Sequence, residues 1–105
     1  MSFWTYMLHC SGGAFYVGHT DDLELRMTQH ETGLGSEFTK ARLPVKLVWS
    51  EAFSIRGEAL EMERRIKGWS RAKKMALIRS DWAELQHLAR SPGKDSPSTS
   101  SGRTE

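Results

Sequence analysis

Tyr6–His30, YMLHCSGGAFYVGHTDDLELRMTQH, is the stretch whose reading decides the fold. Bulky residues from Phe3 to His9 suit a strand, Ser11-Gly12-Gly13 supplies a tight loop, and Ala14 to His19 reads as the returning strand. A short helix follows, with Asp21 as its expected N-cap, Glu24 at its third position and Gly33 closing it. Side chains alternate between the two faces of a strand. A three-residue loop centred on Gly12 therefore sets Tyr6 opposite Gly18 and Leu8 opposite Tyr16, with both tyrosines on one face. A loop one residue longer or shorter puts them on opposite faces. Gly18 opposite Tyr6 leaves room where a ligand can approach the backbone. Arg26 and His30, four apart on the helix, share a face. Two phenols, an imidazole and a guanidinium are gathered by local chain, and these are groups that handle a proton and a phosphate.

Downstream, Leu34 to Arg42 reads as a loop carrying Lys40 and Arg42, and Pro44 opens a third strand from Val45 to Phe53. Ser54 is the expected cap of a long helix to Lys67, which Gly68 ends. After Trp69-Ser70 a further helix is expected over Arg71 to Arg79, with Met75, Leu77 and Ile78 as core candidates. Asp81 with Glu84 forms a capping box for a short helix to Leu88. Residues 91–105, SPGKDSPSTSSGRTE, carry no apolar side chain larger than proline and are expected to be a disordered tail. Residues 1–90 then make one small α/β (α+β) domain: a three-stranded, mainly antiparallel sheet flanked by helices, in the order ββαβαα. No internal repeat is present.

The 105 residues carry a net charge of +2, too little to name a partner. The distribution says more, since eight basic and three acidic residues lie between Ile55 and Ser80. A basic helical region permits a polyanionic partner, although a solvated helix surface looks the same in sequence. The single cysteine, Cys10, excludes an internal disulfide, and His9, Cys10, His19, His30 and His87 do not match zinc-binding spacings. The start lacks the basic and apolar regions of a signal peptide, and no apolar run is long enough for a bilayer, so a cytoplasmic protein that binds no membrane is expected.

Glu63 is the most telling residue outside the hairpin. Ala59, Leu60 and Ile66 mark an apolar helix face, and Glu63 falls among them. A carboxylate there is costly unless it is paired or holds a metal. Two readings stay open: a salt bridge to a nearby arginine, or a ligand for a hard cation that keeps much of its water shell. Tyr16 by itself is more often a packed strand aromatic than a proton-handling group, since a phenol holds its proton at neutral pH unless a cation or metal-bound water helps. Arg26 is either a surface residue or a planar fork for phosphate.

Tyr6, then Tyr16-Val17-Gly18, Arg26 at a further ten residues, and the later Glu63 within EALEMERRIK resemble the GIY-YIG nuclease domain. The wording is similar to its small stand-alone branch and covers about residues 3 to 80 of the chain. Trp4-Thr5-Tyr6 stands where the name motif has Gly-Ile-Tyr, and Met75 where some members carry asparagine. The resemblance implies a metal-dependent endonuclease hydrolysing phosphodiesters of nucleic acid, with DNA as the expected substrate. It implies a divalent cation, Mg²⁺ or Mn²⁺, on Glu63. Tyr16 would activate the attacking water, with Tyr6 sharing that role, His19 and His30 as further proton-handling groups, and Arg26 on the scissile phosphate. Gly18, Lys40, Arg42, Arg71, Lys73 and Lys74 are the expected substrate-binding residues. The alternatives are a nucleic-acid-binding module with the nuclease fold and little or no cleavage, and a small partner-binding adaptor.

Overall fold

The computed structural model describes residues 1–80 and Leu85. The expected helix from Asp81 to Leu88, His87 and the tail of residues 91–105 therefore lie outside the described residues, Leu85 apart. The chain divides into two compact units, Met1–Gly68 and Trp69–Glu105.

The first unit is built on a sheet of three antiparallel strands, β1 (Phe3–Cys10), β2 (Phe15–Thr20) and β3 (Val45–Phe53), in the order β2-β1-β3. The hairpin has the expected register: Tyr6 faces Gly18 and Leu8 faces Tyr16. Gly12 and Gly13 both have positive φ, 89° and 94°, a backbone shape that L side chains resist. The β1–β3 pairing slips at Met7/Leu8, where Trp49 opposes Met7 and Leu47 opposes Leu8, so Val48 is the extra residue of a bulge.

Helix α1 (Leu23–Glu31) begins one residue later than the sequence suggests. Asp22, not Asp21, is its N-cap and accepts from the Leu25 amide at 3.0 Å. The reason is local: the Thr20 hydroxyl takes the Asp22 amide at 3.1 Å and fixes the turn there, while Asp21 pairs with Arg56. The helix stops where expected, with Thr32 as C-cap and Gly33 beyond it at φ 85°.

The expected loop over Leu34–Arg42 contains a short helix, α2 (Glu37–Lys40). Ser36 caps it, accepting from the Thr39 amide at 3.2 Å. Ser54 does not cap α3 (Arg56–Lys67); Ile55 stands at the N-cap without a side-chain bond. Along α3 the buried residues are Ala59, Glu63 and Ile66, the spacing of a single stripe.

The two faces of the sheet have different neighbours. Thr5 donates to the Ala59 carbonyl at 2.7 Å and so marks the α3 face. Tyr6 bonds to His30 of α1 and marks the other. Alternation then puts Tyr16 and Gly18 on the α1 face and His19, paired with Thr5, on the α3 face. The fully buried Tyr6, Met7, Leu8 and Cys10 make β1 the centre of the core.

In the second unit, Ser70 caps α4 (Arg71–Ile78), accepting from the Lys73 amide at 3.2 Å. Ala76 and Leu77 are buried, whereas Met75, expected in the core, is 37% exposed. No helix among the described residues is long and apolar enough to cross a membrane.

Candidate active site

The candidate site lies along β2, the edge strand next to β1, which presents Tyr16 on one face of the sheet and His19 on the other. On the α1 face, the Tyr6 hydroxyl is 2.9 Å from His30 Nε2. Tyr16 completes the cluster: its ring centroid lies 6.4 Å from that of Tyr6 and 5.2 Å from the His30 ring, which it meets edge-on. The α3 face contributes His19, whose Nδ1 is 2.5 Å from Glu63 Oε1, while Lys67 Nζ holds Oε2 at 2.6 Å.

Gly18 serves this arrangement differently from the sequence expectation. A Cβ placed there would lie 2.6 Å from the Tyr6 hydroxyl and 2.8 Å from its Cζ. The room left by the missing side chain is filled by Tyr6, not left open above the backbone. Gly35 does the same for His30, because a Cβ at that position would run into the imidazole ring. Two glycines thus clear the space in which the Tyr6–His30 pair sits.

The two phenols have unlike surroundings. Tyr6 is 1% exposed. Burial and the neighbouring Tyr16 push its phenol well above the ordinary value, Arg26 opposes the rise and Glu63 adds to it. Tyr6 therefore keeps its proton and acts as a hydrogen-bond donor. Tyr16 is half-buried, and its hydroxyl has no hydrogen-bond partner among the described residues. It is the phenol that a substrate can reach.

Glu63 resolves the choice the sequence left open, in part. Its salt bridges run to His19 and Lys67, with no arginine involved. Burial pushes its carboxyl up, but hydrogen bonds from Lys67 and His19 outweigh that and hold it below the ordinary value, so it is anionic. One ionised carboxylate whose lysine partner is more than half exposed suits a hydrated cation such as Mg²⁺, which binds through one or two carboxylates. It does not suit a protein cage: no group of three or more His, Cys, Asp or Glu able to hold a metal exists among the described residues.

His30 is fully buried, not the surface histidine that its polarity suggests. Burial lowers its affinity for a proton and Arg26 adds to that, so the ring is neutral. The sign of the pH effect follows. Unfolded, His30 takes up a proton as pH falls through its ordinary value of 6.5, whereas the folded ring resists; stability is full above that value and falls below it. Glu63 adds a second loss, because its contribution is present above the ordinary value of 4.5 and disappears as pH falls toward its lower folded value. Urea midpoints are expected to decline below pH 6.5 and more steeply below 4.5, with the first decline absent in His30→Gln.

The remaining expected residues fall in separate places. Arg42 lies against Phe38: its guanidinium sits 3.9 Å from the ring centroid and donates to the Phe38 carbonyl at 3.0 Å. Phe38 in turn lies 5.8 Å from the Tyr16 ring. Lys40 is exposed at the end of α2. Arg71, Lys73 and Lys74 belong to the second unit, where Lys73 Nζ sits 4.4 Å over the Trp69 ring. Thr39, Ser36, Phe38, Gly35 and Lys67 were not found from sequence. Ser36 three residues before Thr39 is the pattern that signals the α2 cap, and Lys67 stands four residues after Glu63 on one helix.

A three-stranded antiparallel sheet with helices on both faces, carrying the Tyr6–Tyr16–His30 cluster on one face and the His19–Glu63 pair on the other, defines a small α/β domain. The chain belongs to the GIY-YIG catalytic domain family, whose model matches residues 2–76. It is 45% identical over 74 residues to a UPF0213 protein of Streptococcus agalactiae, covering 70% of this chain and 84% of the relative. Against a UPF0213 protein of Bacillus pumilus it is 44% identical over 69 residues, covering 66% of this chain and 70% of the relative. The solution structure of a UPF0213 protein of Bacillus halodurans is 33% identical, with a TM-score of 0.51 over 87% of this chain and 98% of that one. A second solution structure, of a protein from E. faecalis, is 32% identical, with a TM-score of 0.52 over 90% and 96%. These relatives are small stand-alone proteins of the same family, which is in general a family of nucleic-acid endonucleases that use divalent metal ions.

Proposed function

We propose that this protein is a metal-dependent endonuclease that hydrolyses phosphodiesters in DNA. The observation that supports the reading is that one short hairpin carries both the Tyr6–Tyr16–His30 cluster and His19, which pairs with the buried Glu63. Water attacks phosphorus as the bond to the leaving sugar oxygen breaks. The Tyr16 hydroxyl takes the water's proton while releasing its own to solvent, and Tyr6, held by His30, packs beside its ring. A phenol holds its proton at neutral pH, so it needs such an outlet to act as a base. Arg26 neutralises charge building on the phosphate oxygens. Glu63, kept in place by His19, would hold Mg²⁺ or Mn²⁺, which supplies Lewis acidity when bound. Lys40, Arg42, Arg71, Lys73 and Lys74 contact backbone phosphates, which position the substrate without reading its sequence. A nucleic-acid substrate sets the cytoplasm as the place of action.

One observation favours a second reading, a binding module that does not cleave. Both Glu63 oxygens already have protein partners, His19 and Lys67. Cleavage of duplex, branched and single-stranded DNA and of RNA, with Mg²⁺, Mn²⁺ or EDTA, separates the two. The nuclease reading expects DNA cleavage that EDTA stops; no cleavage of any substrate with either metal leaves only the binding module. Binding is expected to weaken steeply with salt, by about 0.7–0.9 units of log K per log unit of salt for each phosphate contact. Affinity that is flat from low to moderate salt would make the basic region a solvated surface.

A further inference from the structure

A buried line of polar groups runs outward from the site into α2. Tyr6 Oη is 2.9 Å from His30 Nε2, and His30 Nδ1 is 2.9 Å from Thr39 Oγ1. Thr39 Oγ1 in turn lies 3.3 Å from the Ser36 carbonyl and 2.9 Å from Ser36 Oγ. Tyr6, His30 and Thr39 are all at most 1% exposed, so water does not relieve any of them. The directions of these bonds can be worked out by counting hydrogens. A threonine hydroxyl has one, and the Ser36 carbonyl can only accept. The Thr39 hydrogen has both that carbonyl and His30 Nδ1 within reach, and the Tyr6 hydrogen decides between them: His30 Nε2 is its one acceptor among the described residues, so Nδ1 carries the imidazole hydrogen, Thr39 accepts from it and donates to the Ser36 carbonyl. Neutral imidazole then has a bare Nε2, which accepts from Tyr6. Ser36 Oγ donates to Thr39 Oγ1, and every hydrogen in the line has an acceptor. The opposite tautomer leaves the Tyr6 hydrogen without one among the described residues.

We infer that Thr39 is a positioning residue of the nuclease site: its hydroxyl fixes the His30 tautomer, so that Nε2 faces Tyr6 as an acceptor. The inference rests on the nuclease reading above. With Tyr6 donating to His30, the phenol is held in one orientation beside the Tyr16 ring, 6.4 Å away between centroids, and its oxygen lone pairs stay open. In the other tautomer Nε2 carries the hydrogen, occupies a Tyr6 lone pair and leaves the Tyr6 hydrogen without an acceptor. Helix α2, only four residues long, thus sets Tyr6 through Thr39 and braces Tyr16 through Phe38.

The test uses the full chain with Thr39→Val, which keeps the shape and removes the hydroxyl, and Thr39→Ser, which keeps the hydroxyl. Long-range ¹H–¹⁵N spectra of the His30 ring report the tautomer without any cleavage. Wild type and Thr39→Ser are expected to show the Nδ1–H form, and Thr39→Val to gain the Nε2–H form. The same Val variant is expected to lose about 10²-fold in kcat with KM unchanged, the lower part of the range for acid–base groups. Thr39→Ser is expected to retain most of the rate. A wild-type ring in the Nε2–H form, or a Val variant with wild-type tautomer and rate, would overturn the inference. If Thr39→Val does not fold, wild type and Thr39→Ser decide it: both must show the Nδ1–H form, and a Ser variant with that tautomer and a 10²-fold loss overturns it. If wild type cleaves nothing, the nuclease reading falls by itself, and the spectra alone decide whether Thr39 governs His30.

Discussion

Replacing Glu63 by glutamine is expected to abolish cleavage while leaving affinity for nucleic acid within about twofold, since binding rests on lysine and arginine contacts. The amide has the size of the carboxylate but lacks the charge that a hard cation requires. The fold should tolerate the change. The glutamine carbonyl can still accept from His19, and Lys67, whose side chain is 55% exposed, can turn to solvent. Single-turnover cleavage with Mg²⁺ or Mn²⁺ and equilibrium binding in EDTA measure the two quantities separately. A glutamine variant that cleaves at the wild-type rate removes Glu63 as the cation ligand. A variant that loses cleavage together with binding points to misplacement of β2, because His19 is the only bond that ties Glu63 to that strand among the described residues.

The hairpin was legible because its physics is local. Two glycines in a tight loop fix the register, and the register decides that Tyr6 and Tyr16 share a face. Glu63 could be picked out as a charge within an apolar stripe, and the helix places it at that position. Its partners could not, because the His19–Glu63 pair joins residues 44 apart in sequence. Arg42 was read as a phosphate contact, yet its stacking on Phe38 depends on a four-residue helix too short to show a period. The start of α1 shows a finer limit. Asp21, with Glu24 three residues on, satisfies the capping pattern, yet a threonine hydroxyl fixes the turn one residue later and Asp22 caps the helix. His30 was picked out by resemblance as a proton-handling group, but its full burial was not legible, because the glycine at position 35 that makes room for its ring signals nothing until the chain is folded.

Tyr16→Phe is expected to lower kcat by about 10²–10⁴-fold, the range for loss of a general acid or base, with little change in KM. The variant should be as stable as wild type to within about 0.5 kcal/mol, because the Tyr16 hydroxyl has no protein partner among the described residues and its removal strands no other group. The ring itself stays packed beside Tyr6, His30 and Phe38. Tyr6→Phe makes the contrast. Its hydroxyl bonds to the fully buried His30, and removing it leaves Nε2 without its donor, at a cost of about 1–3 kcal/mol. The two phenols therefore separate by measurement: deletion at Tyr16 costs rate alone, and deletion at Tyr6 costs rate and stability together. Thermal melting beside single-turnover kinetics on both variants checks this. If Tyr16→Phe cleaves as fast as wild type while Tyr6→Phe is inactive but folded, the attacking water is activated at Tyr6, and the assignment of the accessible phenol is wrong.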